Sequence, residues 1–261
     1  MKTLNVSSKP HQVACAGRFV GAIFNRDCSR ERRKCNPLPQ ILVRALLLIA
    51  VCIPADAFAA DAPKSVIAPD QVPQKASLQD VEKRFTTRQR GAMFCIPCGI
   101  ETALNYYGIK DYSQEKLVLQ WVKSGGRLRG RSGFLNTNGA SDEQIIAGAR
   151  NATLWGANFK NFKQVAETVV PLNHLGYELG FGVMKSLEDY SRALKHAIAN
   201  DWVFIMSVSA WGGAHIVTAV AYDGDTVTLW EPSGGKFHTR KLADFKPNLD
   251  LLILRPAPKS Q

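Results

Sequence analysis

Cysteine is scarce where it would matter for stability. The chain has 261 residues and six cysteines. Four of these, Cys15, Cys28, Cys35 and Cys52, fall in the first 59 residues, and only Cys95 and Cys98 lie beyond. A pair three positions apart cannot join distant segments, so a disulfide-stapled fold is excluded. Long apolar runs are missing too. The best candidate, Ile41 to Ile53, is short for a bilayer and contains Arg44. No internal repeat is present, and no second linker divides the chain. Histidine is sparse, with five in all, which keeps the choice of catalytic bases short.

The amino-terminal region has the grammar of a secretory signal. A basic stretch, Arg30-Glu-Arg-Arg-Lys34, precedes the apolar run, and small residues follow at Ala57 and Ala59. An uncleaved signal anchor is the alternative. The expectation is a signal peptide over residues 1–59 and a mature chain that is exported, periplasmic or secreted. The formal net charge of +11 then loses its meaning as a nucleic-acid signal. Cleavage after Ala59 removes nine Lys/Arg and three Asp/Glu and leaves a net charge of +5. The one dense basic cluster left is Arg127, Arg129 and Arg131, in a glycine-rich stretch. It reads either as a solvated mobile loop or as a loop that meets an acidic substrate or partner.

Residues 60–77, rich in Ala, Pro, Asp, Lys and Gln, read as a flexible linker. Residues 78–261 read as one domain with a sizeable core. Its first half is helical in pattern. A helix is expected over 95–107, closed by Gly108. Others open at Ser113, at Ser141 with the capping-box spacing to Gln144, near Phe162, and at Ser186. The second half reads as strands: 202–208, 215–222, 226–230, 237–242 and 251–254. The turn at Asp223-Gly224-Asp225 marks a hairpin. Helices first and antiparallel strands second predict an α+β fold.

Within this frame four residues suit thiol hydrolysis of an acyl bond. That reaction needs a nucleophile, a base, a group to orient the base, and donors for the tetrahedral oxyanion. Cys95 sits at a helix start, where the backbone favours thiolate. His215 opens a strand after Gly212 and Gly213, which leave room for a substrate backbone. Glu231 ends the next strand at a similar distance from the hairpin turn, so the two are expected to be neighbours. Gln89, six residues before Cys95, has an amide suited to oxyanion donation. His174, His196 and His238 lie in weaker settings for a base.

The run from Cys95-Ile-Pro97-Cys98 to Asn105-Tyr106-Tyr-Gly108 resembles the nucleophile helix of papain-like cysteine peptidases. It is most similar to the bacteriocin double-glycine leader peptidases and their stand-alone relatives. Cys95 precedes Pro97 by two positions and Asn105 by ten, as that pattern asks, and Cys98 meets neither spacing. The stretch from His215 to Pro232 resembles the family's histidine strand, turn and acid-Pro strand. The resemblance covers roughly residues 86–257. It implies a papain-like fold, in which the helix of Cys95 packs on an antiparallel sheet, and a peptidase acting on peptide or protein substrates. The implied roles are Cys95 as nucleophile, His215 as base, Glu231 as orienter and Gln89 as oxyanion donor. Two positions depart from the pattern: Ile96 replaces the usual glycine, and Glu231 is one methylene longer than the usual Asp or Asn.

Cys95-Ile-Pro-Cys98 also resembles a thioredoxin-type redox pair, which suits an oxidising compartment. That motif should follow an apolar buried strand, whereas Thr86, Thr87, Arg88, Gln89 and Arg90 are all polar. A peptidase-like domain that binds without cleaving, and acyl transfer on the same residues, are further alternatives. Cys98 is a candidate regulatory thiol, able to mask Cys95 in a disulfide, or simply a packing residue. The expectation includes no cofactor, no metal, no nucleic-acid partner and no membrane span after signal cleavage.

Overall fold

Val203–Val208 is a run of six consecutive buried residues. A strand with no polar face belongs in the middle of a sheet covered on both sides. The computed structural model, which describes residues 66–209 and 214–258, places it there. The signal peptide expected over 1–59 lies outside the described residues, as do Gly212 and Gly213.

The large sheet has seven strands. Its main order is β5 (Tyr177–Val183), β10 (Pro247–Pro256), β6 (Val203–Val208), β7 (His215–Asp223), β8 (Thr226–Glu231) and β9 (Lys236–Lys241). β1 (Lys75–Ser77) pairs with the far end of β7, and every pairing is antiparallel. Successive residues of β6 serve opposite faces, as strand alternation requires. On one face Ile205, with Ile216 of β7, meets Gly99 of α2 (Cys95–Tyr106). A Cβ at Gly99 would lie 2.9 Å from Ile205 Cγ2. On the other face Phe204 packs edge-to-face on Tyr190 of α6 (Leu187–Ala199), with ring centroids 5.3 Å apart.

The remaining helices are α1 (Val81–Arg84), α3 (Gln114–Lys123), α4 (Asp142–Ala149) and α5 (Phe159–Val169). Their starts follow the chemistry of their caps. Ser113, Ser141, Asn158 and Ser186 each accept a backbone hydrogen bond from the first turn that follows, and Ser141 with Gln144 forms the full capping box. α5 starts three residues earlier than expected because Asn158 caps it. α3 and α5 join through Trp121 stacked on Phe162 at 5.8 Å.

Mixed helices and antiparallel strands agree with the α+β expectation, but the order is less simple. β5 lies between α5 and α6, where no strand was expected. Gly180 and Gly182 hid its alternation of Leu179, Phe181 and Val183. A second sheet, β3 (Gly133–Phe134), β2 (Arg127–Gly130) and β4 (Thr153–Trp155), interrupts the helical half. The arginine cluster, expected as a loop, therefore begins in a strand. Residues 66–77 also depart from the linker expectation. Ile67 N–H donates to Asn200 Oδ1 at 2.6 Å, Tyr222 Oη–H donates to Pro73 O at 2.9 Å, and β1 completes the sheet.

Candidate active site

α2 begins without a side-chain cap. Phe94 holds the capping position and has no group to accept a hydrogen bond, and Pro97 in the first turn has no N–H. The N–H groups of Cys95 and Ile96 are left over, and their positive ends favour a thiolate at the Cys95 sulfur. The N–H of Ile216, in β7, joins them. The thiol thus sits beside the start of β7, one residue from His215. Burial nevertheless pushes the Cys95 thiol above its ordinary range, and the three N–H groups offset only part of that. The expectation that the helix start alone lowers this pKa is therefore not met: desolvation of a half-buried sulfur outweighs the backbone dipoles.

His215 and Glu231 come together as expected. His215 Nε2 lies 2.7 Å from Glu231 Oε1, with side chains 19% and 9% exposed. The register explains how. From the turn, Asp223 pairs with Thr226, Tyr222 with Val227 and Ala221 with Thr228. A bulge at Val220 then shifts the ladder, so that Ala219 pairs with Leu229 and Thr218 with Trp230. An unbroken ladder would set Glu231 opposite Thr218, on the face away from His215. The bulge moves it opposite Val217 instead, on the histidine's face and one diagonal away. The longer reach of glutamate suits that diagonal.

The carboxylate has further support. Ser233 N–H donates to Oε1 at 2.7 Å and Gly234 N–H to Oε2 at 2.6 Å. A Cβ at Gly234 would lie 2.7 Å from Oε2, so a side chain there would displace the carboxylate. Burial pushes the Glu231 carboxyl up, but the bonds from Ser233, His215 and Gly234 together hold it below its ordinary range. It is an anion with three donors, suited to fixing an imidazole tautomer and stabilising imidazolium.

Gln89 lies close by, with its side-chain amide already engaged. Its backbone N–H donates to Pro232 O at 3.1 Å, directly after Glu231. Its side-chain Nε2 donates to Gly91 O at 2.8 Å and Ala92 O at 3.1 Å, while Oε1 is buried without a hydrogen-bond partner. Cys98 is fully buried in α2. Burial first, then the negative charge of Glu101, pushes its thiol far up. Both thiols are free.

A polar clamp that the sequence reading did not single out holds the Gln89 segment. Gln114 is fully buried at the start of α3. Its Nε2 donates to Arg88 O at 2.8 Å and to Glu101 Oε2 at 2.7 Å, and its Oε1 accepts from Arg90 N–H at 3.0 Å. Both residues flanking Gln89 are thereby fixed by one amide. Arg90 also reaches Glu101 at 2.7 Å and Glu115 at 3.0 Å. Trp230 Nε1–H donates to Thr87 O at 3.3 Å, and Asn105 Nδ2–H to Thr87 Oγ1 at 2.9 Å. Segment 87–90 is therefore tied to α2, α3 and β8 at once. Only the run of polar residues before Cys95 hinted at it. The partners are up to 143 residues away in sequence.

Among the described residues no cluster of three or more His, Cys, Asp or Glu has metal-binding geometry, and no helix is long and apolar enough to cross a membrane. No protein-family model matches the chain, and no curated protein matches it. Among solved structures, one provisionally described as a C39-like peptidase from Bacillus anthracis aligns with a TM-score of 0.45. The two are 13% identical over 71% of this chain and 99% of that one. At that TM-score the likeness assigns neither fold family nor activity.

Proposed function

We propose that this protein is a thiol peptidase in which Cys95, His215 and Glu231 hydrolyse peptide bonds. The observation that carries this reading is the buried 2.7 Å bond between His215 Nε2 and Glu231 Oε1, at the start of the strand whose Ile216 N–H favours thiolate at Cys95. With Nε2–H donated to the carboxylate, the lone pair lies on Nδ1, where it takes the thiol proton. The resulting imidazolium supplies the positive charge that the buried thiolate needs and the backbone alone does not provide. The thiolate attacks the substrate carbonyl carbon. The tetrahedral oxyanion accepts from the Cys95 N–H and from Gln89, once the Gln89 amide releases Gly91 or Ala92. His215 then protonates the leaving amine, and water hydrolyses the thioester. We further propose that residues 1–59 are removed on export and that the enzyme works outside the cytoplasm.

The burial of Cys98 and the upward push on its thiol favour hydrolysis over dithiol exchange, which needs an accessible low-pKa pair. A peptidyl vinyl sulfone tests the choice. Labelling of wild type and of Cys98→Ala, but not of Cys95→Ala, with peptide cleavage following the same pattern, supports the reading. Equal loss in both cysteine variants, or no labelling of the reduced wild type, overturns it.

A further inference from the structure

The small sheet β3-β2-β4 carries an outward face that the proposed chemistry does not use. Arg127 and Arg129 project from it on one side of β2, while Leu128 between them is buried. Phe134 and Trp155 share that face and are 45% and 48% exposed. The register sets Arg129 opposite Phe134 and Arg127 opposite Trp155. The stacking runs along the diagonals. Arg127 Cζ sits 3.6 Å from the centroid of the Phe134 ring, and Arg129 Cζ sits 4.8 Å from that of Trp155. The two rings meet edge-to-face at 5.9 Å. Arg131 is exposed in the adjoining turn. Among the described residues none of the three arginines pairs with a carboxylate of the chain, although eight other cationic residues do: Lys75, Arg90, Lys123, Arg150, Lys163, Arg192, Lys195 and Arg255.

An arginine that stacks on a ring uses the face of its guanidinium and keeps the N–H edge for another partner. The rings also hold the side chains in place, so binding costs less side-chain entropy. Each guanidinium covers one face of its ring, which leaves less open ring surface for nucleobases to stack on, as single-stranded nucleic acid would need. The open donors suit carboxylates, which they can hold in bidentate fashion. Arg127 and Arg129 are two positions apart on a strand, about 7 Å. The same spacing separates alternate side chains of an extended peptide, so acidic residues two apart match the pair.

The patch is also within reach of the thiol. Ala92 N–H donates to Arg150 O at 2.8 Å, three residues from Cys95 and five from Trp155. Chain geometry then limits the separation of Cys95 and Trp155 to about 32 Å, the span of roughly nine extended residues. We propose that this face is an exosite for an acidic segment of the substrate, with carboxylates at alternate positions, within about nine residues of the scissile bond. The proposal rests on the peptidase reading above.

The test measures binding with Cys95→Ala protein, so that no cleavage is involved. Fluorescein-labelled peptides with alternating Glu and Ser are compared with Gln counterparts and with oligothymidylate, by anisotropy. The Glu peptide is expected to bind at least tenfold more tightly than the Gln peptide and to weaken as salt rises. Arg127→Gln with Arg129→Gln should abolish the difference. Arg129→Lys, which keeps the charge but loses the planar fork and the stacking, should reduce it. Arg240→Gln on β9 should leave it unchanged. Melting temperatures of all variants check that the fold is intact. Equal affinity for Glu and Gln peptides overturns the proposal, as does a preference that survives in the double variant. Tighter binding of oligothymidylate overturns it in favour of a nucleic-acid site. Failure here leaves the peptidase reading intact, and failure of wild type to cleave any peptide overturns that reading whatever the binding shows.

Discussion

The two sheets manage charge in opposite ways. The large sheet lies between α2 and α6, and β6 is buried along its whole length. Its carboxylate at Glu231 carries three hydrogen bonds at 2.6 to 2.7 Å. The small sheet has one dry face, through Leu128 and Leu154, and one wet face with Arg127 and Arg129, which have no carboxylate partner among the described residues. Burial makes an unpaired charge costly, so a charged group inside must be fully partnered and is thereby fixed in position. Exposure removes that demand and leaves donors available to another molecule. The difference suits the proposed division, with reaction on the buried strands and recognition on the open ones.

Substitutions at the two sheets should therefore differ in kind, and the largest effects belong to the buried side. His215→Ala should lower peptide cleavage by about 10⁴-fold with a normal melting profile, since triad-type groups act as a unit. Glu231→Gln should cost about 10²-fold or more, because its amide would turn an N–H₂ group toward a donor where the carboxylate accepts from His215, Ser233 and Gly234. The same carboxylate predicts an acid limit. Its folded pKa is lowered from an ordinary value of 4.5, so its contribution to stability is complete above about pH 4.5 and is lost as pH falls through the depressed folded value. Thermal melts of wild type and Glu231→Gln should converge below that range. If they run parallel, ionisation of Glu231 is not coupled to folding and its folded pKa is not lowered.

Gln114→Leu should destabilise the domain by about 2–3 kcal/mol in urea titration. It leaves Arg88 O, Arg90 N–H and one oxygen of Glu101 without their partner. Activity should fall further than stability explains if the clamp positions Gln89. Gly99→Ala should cost about 1–3 kcal/mol by overpacking, since the new methyl meets Ile205 at 2.9 Å. It should also move the Cys95 end of α2 off the sheet, read as slower labelling by the electrophile. The smallest effect belongs to the open sheet. Arg127→Gln and Arg129→Gln should each change stability by no more than about 0.5 kcal/mol. A larger loss would mean that these arginines support the fold and are not held ready for a partner.

Local signals were legible in proportion to their sequence range. The caps at Ser113, Ser141 and Ser186 and the turn at Asp223 to Asp225 act within four residues, and each was readable from side-chain chemistry. β5 was not, because its glycines erase the alternation and its pairing with β10 lies more than 60 residues away. The arginine stretch looked like a loop for a similar reason: Arg127 and Leu128 are held in a strand by β4, more than 25 residues away. Gln114 was invisible as a positioning residue, since its three partner atoms belong to segments brought together only by folding.

The sequence by itself determined the kinds of groups available: a thiol at a helix start, a histidine and an acid either side of one hairpin, and only two cysteines beyond residue 59. These follow from composition and from short-range spacing. Tertiary structure decided the rest, because the remaining terms depend on burial and register. The one-residue bulge at Val220 brings Glu231 onto the face of His215, and desolvation raises the Cys95 thiol where the helix start alone would lower it. The fold also engages the side-chain amide of Gln89 on two backbone carbonyls and leaves the arginines of β2 stacked and open. None of these can be read from neighbours in sequence, since each depends on atoms that the chain brings together only when it packs.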